Sequence, residues 1–313
     1  MFNRRFLRVK VFQSIYAYKQ EENASRAVYE KNLVKSLDKS YELYLYLISF
    51  SIEYKFFAEK ELESQQSRHY PNNETISLLR AFINNKVIAQ FERTESLKIK
   101  LRDFKVKFNN SSDTLRKVFL ETKDLETFVQ YSNLSNPSIE DDKNALLALY
   151  EELIADSEFF NFFLEENYAN WEDDMVMVTQ ALQRTIIGHK NGGADFQSSF
   201  YKDKEEDLRF AKDLFYKTLE HDEEFTVLIS AKAQNWESDR IAMIDLLLMK
   251  MALCELMYFS QIPVKVSINE YLELAKLYST PQSHGFINGL LDKIQIDMQK
   301  TGRIAKAGRG LVE

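Results

Sequence analysis

The chain has 313 residues, 45% of them hydrophobic, with a formal net charge of −7, one cysteine, 8 glycines and 4 prolines. That is apolar material for one large or two ordinary domains, and so few helix breakers predict structure that is helical nearly throughout, an all-α fold. The lone Cys254 excludes an intrachain disulfide and a cysteine-rich zinc site, and suits a reducing, cytoplasmic setting.

Leu7, Val11, Ile15 and Tyr18 recur at helical spacing and predict an amphipathic first helix. Residues 1–20 hold Arg4, Arg5, Arg8, Lys10 and Lys19 with no acid, a charge of +5 that interrupts the apolar core a signal peptide needs. Secretion is therefore not expected. On a helical wheel Arg4 and Arg8 share a face with Val11 and Ile15, so that face is expected to remain partly unburied, with the arginines in the open to meet a ligand. A frayed, merely solvated start is the plain alternative.

Asn23 is the expected N-cap of a long helix whose ladder Leu33, Leu37, Tyr41, Leu45, Ile48, Ile52 and Phe56 runs to about residue 66. Pro71 breaks the pattern, and helices follow over about 74–92, 95–108 and 112–130. A loop, Ser132–Ser138, precedes a helix from Ile139, and another spans Trp171–Ile187. The glycine-rich stretch Gly188–Phe196 lacks the Lys-Ser/Thr of a phosphate loop and carries Asp195, which repels phosphate. His69, His189, His221 and His284 have no ligand partner at helical spacing, so neither a metal nor another cofactor is expected. Carboxylate pairs such as Glu165–Glu166 and Asp173–Asp174 point in different directions on a helix and read as solvated faces. No arrangement here predicts an enzyme.

Ser238–Phe259 is apolar nearly all round, yet its Asp245, Lys250 and Glu255 are too many charges for a membrane span. It is the expected central core helix, with Cys254 an inert packing residue. After it, Ser267-Ile-Asn-Glu270 has the pattern of a capping box, and Thr280-Pro281 that of a second helix start. Phe286, Leu290 and Ile294 define the expected buried face of the last helix. Gly285 and Gly289 lie inside it, where each costs roughly 1 kcal/mol against alanine, so each predicts that something approaches closely. The end, Met298–Glu313, is basic (+3) and glycine-bearing, and reads as disordered. Taking +5 and +3 from −7 leaves −15 for the residues between, so an anionic partner, nucleic acid or an acidic protein, is expected at the ends.

The run MALCELMYFSQIPVKVSINEYLELAKLYSTPQSHGFINGLLDKI, Met251–Ile294, resembles the C-terminal half of the bacterial transcription antitermination factor NusB family, and Arg4–Tyr18 resembles that family's first helix. The resemblance implies an all-helical, non-enzymatic RNA-binding protein that pairs with NusE, a small-subunit ribosomal protein, on the boxA element of nascent ribosomal RNA. It implies work alongside other elongation factors and RNA polymerase, away from any membrane. It places Arg4, Arg5 and Arg8 in a basic cluster that contacts RNA. It further places Gln282, Ser283 and Phe286 in an RNA-facing loop and helix start, with the Ser283 and His284 amides offering donors to phosphate. Gly285 would admit the RNA backbone, and Gly289 would let the last helix pack tightly on a neighbour. Tyr16 and Asp245 match partner-surface positions, Asp245 standing for a glutamate. The family core needs far less chain, which divides the sequence into a first helix (1–21), a helical insertion (22–180), the rest of the core (181–298) and a basic tail (299–313). Two other readings stay open: an RNA-docking part of a ribosomal RNA methyltransferase system, and a helical scaffold that binds only protein.

Overall fold

The computed structural model describes residues 3–107, 112–189, 201, 203–233, 241–304 and 306. Among them are fifteen α-helices and no strand, and no helix is long and apolar enough to cross a membrane. In chain order they are α1 (Arg4–Gln20), α2 (Arg26–Gln66), α3 (Asn73–Ile83), α4 (Lys86–Arg93), α5 (Glu95–Asp103), α6 (Ser112–Thr122), α7 (Glu126–Ser132) and α8 (Ile139–Ala155). There follow α9 (Glu158–Asn167), α10 (Trp171–Ile187), α11 (Lys204–Glu220), α12 (Asp222–Lys232), α13 (Met243–Tyr258), α14 (Val264–Tyr278) and α15 (Pro281–Lys300). The chain divides into two compact units, residues 2–37 with 201–313, and residues 38–200.

In the unit formed by the two chain ends, α13 is the centre. It packs against α1, α11, α12, α14 and α15, and Leu248, Met249, Met251, Ala252, Leu253 and Leu256 are wholly buried. Each large side chain so removed from water contributes about 1.5–3 kcal/mol. Helix α1 lies on α11 and α13 and buries Phe6, Leu7, Val9, Val11, Phe12 and Ile15; Asn3 caps it, accepting from the Phe6 amide at 3.1 Å. Asp222 joins three helices, receiving Lys19 of α1 and Lys250 of α13 at 2.8 Å each. Gly302, at φ +68°, closes α15 with the Arg303 amide on the Met298 carbonyl at 2.9 Å.

Two helix starts differ from expectation. Asn23 is not the cap of α2 but a left-handed turn residue (φ 61°) three positions ahead of it. Helix α14 begins at Val264 behind Pro263, so Ser267 lies a turn inside, and its hydroxyl, buried, donates to Glu255 at 2.7 Å instead of capping. Thr280 and Pro281 do start α15, as their pattern predicts.

The 38–200 unit is built around the remainder of α2 and an aromatic core that includes Tyr44, Phe50, Tyr54, Phe82, Phe128, Tyr150, Phe160 and Trp171. The single helix expected over 74–92 is two. Asn85, fully buried, caps α4 through the Val87 and Ile88 amides (3.0 and 3.1 Å) and donates to the Asp142 carbonyl (2.9 Å) and Tyr131 hydroxyl (3.2 Å). A side chain that satisfies four groups at once fixes the break there. Helix α10 begins and ends where the sequence places it, and α8 opens on a Ser138–Asp141 capping box. Most of the glycine-rich stretch from residue 190 lies outside the described residues.

Candidate nucleic-acid interface

The arginines of α1 do not stand as a bare basic patch; they form an ion ladder with acids from three other helices. At its inner end Arg8, 3% exposed, grips both oxygens of Glu255 at 2.8 Å. The same carboxylate accepts the hydroxyls of Ser267 (2.7 Å) and Tyr271 (3.2 Å), so each of its oxygens has two donors. Arg8 also reaches Glu270 at 3.5 Å and lies over the rings of Phe210 and Tyr271. Burial works against the Arg8 charge, but the hydrogen bonds and charge of Glu255 outweigh it and hold the guanidinium above its ordinary range. Burial, followed by the charge of Glu255, pushes the Tyr271 phenol well up.

The expectation that all three arginines are open therefore fails at Arg8. Its face of α1 is buried because α13, otherwise apolar there, presents a countercharge to receive it. The signal was in the sequence: a glutamate on a helix that is apolar nearly all round calls for a cation to pair with it once buried.

At the outer end Arg5, about a third exposed, holds both oxygens of Glu270 at 2.9 Å, and Glu270 keeps it protonated above its ordinary range. Arg4 pairs with Glu206 of α11 and lies 5.3 Å from the centre of the Phe210 ring. Three cations thus meet three carboxylates.

Helix α15 packs on α13 and α14. Glu273 of α14 is held below the usual carboxylate range first by its hydrogen bond from Lys276, and it feels the charges of both Arg5 and His284. Gln282 and Gly285 are exposed, and His284 and Phe286 are half-buried. Ser283 is different. It is buried, its amide donates to the Thr280 carbonyl at 3.0 Å, and its hydroxyl lies 2.9 Å from those of Ser279 and Thr280. Ser279 in turn donates to Asp245, which is buried in the first turn of α13 and so lies beneath the α14–α15 turn, not on a surface. Tyr16 is half-buried, its ring 6.3 Å from that of Phe12.

One glycine departs from its expected role. A Cβ built on Gly289 meets nothing within 4 Å, and neither does one on Gly285. Gly289 therefore provides no tight helix packing; both residues form a bare, exposed strip one turn apart. The tail also departs from expectation: α15 runs on to Lys300, and Lys306 donates to the carbonyls of Glu255 and Phe259 at the end of α13 (2.9 and 3.0 Å). Burial pulls its amine down to about 8.

What these residues offer chemically is two guanidinium forks on α1, each about a third exposed, and on α15 an imidazole, an aromatic ring and a side-chain amide beside a strip of open backbone. Such a set suits phosphates and unstacked bases. The acids that sequence reasoning missed, Glu206, Glu255 and Glu270, decide which of these groups are available. Among the described residues no cluster of His, Cys, Asp and Glu could hold a metal ion.

The sequence profile of the NusB family matches residues 176–295. Over 103 residues the chain is 48% identical to the transcription antitermination protein NusB of Salinibacter ruber, covering 33% of this chain and 64% of that protein. It is 41% identical over 107 residues to that of Chloroherpeton thalassium (33% and 51%), and 42% identical over 89 residues to that of Desulforamulus reducens (28% and 62%). The chain thus spans between about half and two thirds of the length of these curated relatives. No solved structure matches it.

Proposed function

We propose, from the match of the NusB family profile to residues 176–295, that this chain is an RNA-binding transcription antitermination factor. In this reading it pairs with a NusE-type small-subunit ribosomal protein and binds boxA-type single-stranded RNA of nascent ribosomal transcripts, among other elongation factors and the polymerase complex. The observation that carries the reading is the family match, which runs from within α10 through α11, α12, α13 and α14 and over most of α15. Those helices supply all three acids that pair with the arginines of α1.

Arg4 and Arg5 are the candidates to contact phosphate, with Gln282, His284, Gly285 and Phe286 as further candidates on α15. Arg8 acts from beneath by fixing α1 to α13, and Ser283 with Asp245 by holding the α14–α15 turn. Tyr16, on the α1 surface, is the remaining candidate for the protein partner. Most of the 38–200 unit lies outside the family match and reads as an addition to the core.

The test is fluorescence anisotropy of a boxA-like RNA against a scrambled one, with and without the ribosomal protein, for wild type and for Arg4→Ala/Arg5→Ala. Arg8 is left in place because its loss would confound binding with folding. Preference for boxA, strengthened by the partner and weakened about tenfold or more in the variant, is expected. Equal binding to both RNAs, indifferent to the partner, overturns the proposal and favours a scaffold that binds only protein.

A further inference from the structure

The outer rung of the ion ladder is built to be exchanged. Glu270 has two cations, Arg5 on both oxygens at 2.9 Å and Arg8 at 3.5 Å, while Glu255 has four donors of its own. If Arg5 leaves, Glu270 keeps Arg8, and no carboxylate is stranded. The inner rung has no such freedom, because Arg8 and Glu255 are buried together. A phosphate presents a guanidinium fork with the same two-oxygen geometry as a carboxylate, so the two compete for one fork.

Resting on the RNA-binding reading above, we infer that Glu270 is a competitor of RNA phosphate for Arg5, an affinity-setting residue that holds the fork in place and must give it up when RNA binds. Glu270 is then neither an RNA contact nor a fold anchor. It makes the arginine pre-oriented but neutralised, and so suppresses attachment to RNAs that supply a phosphate without the rest of the site.

The experiment uses the full chain and the same fluorescent boxA-like and scrambled RNAs, with Glu270→Gln, which keeps the shape and one of the two acceptor oxygens but removes the charge. A control comes from the same helix. Glu273→Gln deletes an equal charge one turn away that also feels Arg5 but is hydrogen-bonded to Lys276. Thermal unfolding of each variant checks the fold.

Because Arg5 is about a third exposed and its pair is screened by solvent, Glu270→Gln is expected to tighten RNA binding roughly three- to tenfold. The scrambled RNA should gain at least as much as boxA, and Glu273→Gln should change either by less than about twofold. In an Arg5→Ala background the Glu270→Gln gain should vanish. No gain in Glu270→Gln, an equal gain in Glu273→Gln, or a gain that survives Arg5→Ala overturns the inference while leaving RNA binding intact. Failure of wild type and every variant to prefer boxA over the scrambled RNA instead removes the RNA reading, and this inference with it.

Discussion

Replacing Arg8 by methionine keeps most of the side-chain volume and removes the cation that grips both oxygens of Glu255. In the wild type those oxygens receive four donors between 2.7 and 3.2 Å, two of them charged. The variant leaves a fully buried carboxylate with two neutral hydroxyls, a loss expected to cost about 3–5 kcal/mol. Against typical total stabilities of about 5–15 kcal/mol, that is a large fraction. With a urea m-value of about 2 kcal/mol per molar, the midpoint should fall by roughly 1.5–2.5 M. Far-UV circular dichroism in urea is the assay, followed for the transition of the unit that contains α1 and α13, since a chain of two units need not unfold in one step. Adding Glu255→Gln to Arg8→Met removes the stranded charge while keeping an oxygen for the hydroxyls, and should recover about 2 kcal/mol of the loss. A cost below about 1 kcal/mol for Arg8→Met, or no recovery in the double variant, would refute the account of Arg8 as a buried anchor.

Three further outcomes are expected. Gly285→Ala and Gly289→Ala should each raise stability by about 0.5–1 kcal/mol, because an added Cβ meets nothing within 4 Å; a lower melting temperature at either position contradicts this. Asp222→Asn should cost about 1–3 kcal/mol at pH 7, since it leaves the nearly buried Lys250 without its carboxylate. Burial pushes the Asp222 carboxyl up, but Lys19 and Lys250 outweigh it and hold the group below its ordinary range. Its contribution is therefore present above the unfolded value near 3.9 and lost as pH falls through the folded value, so the gap between wild type and variant should close below about pH 4. A gap as wide at pH 3 as at pH 7 would tell against it. Asn85→Ala should destabilise the 38–200 unit by about 2–3 kcal/mol in urea unfolding, through a lost cap and an uncovered Asp142 carbonyl. A change under about 0.5 kcal/mol would mean that the break between α3 and α4 is set elsewhere.

Where local chemistry decided the outcome, the sequence was readable. The apolar ladder of α2 ends at residue 66 as expected, Trp171–Ile187 is one helix, and Thr280-Pro281 starts another. Errors arose where a distant group claimed a side chain. Ser267 and Glu270 have the spacing of a capping box, but Glu255 takes the first and Arg5 the second. Asn85 splits a predicted helix because its side chain is worth more to Asp142 and two α4 amides than to continuity. The wheel of α1 put Arg8 on the buried face correctly, but burial was rejected because its partner lies 247 residues away, beyond any local pattern. Gly289 was read as a packing glycine because helical glycines cost stability, and that cost alone does not say on which side the space lies.

The separation of the ladder's two sides along the chain also sets a clock. Arg8 and Glu255 are 247 residues apart, and at about 5–20 residues per second the ribosome makes the acid roughly 12–50 s after the base. Glu206 and Glu270 come late as well, after every residue of the 38–200 unit has been joined. Until Glu206 is joined α1 is a segment with five positive charges and none of its carboxylates, and its apolar face has no α13 to cover it. The first helix of the newborn chain thus passes through a strongly cationic phase that the finished fold extinguishes, carboxylate by carboxylate, as the last third of the chain is translated.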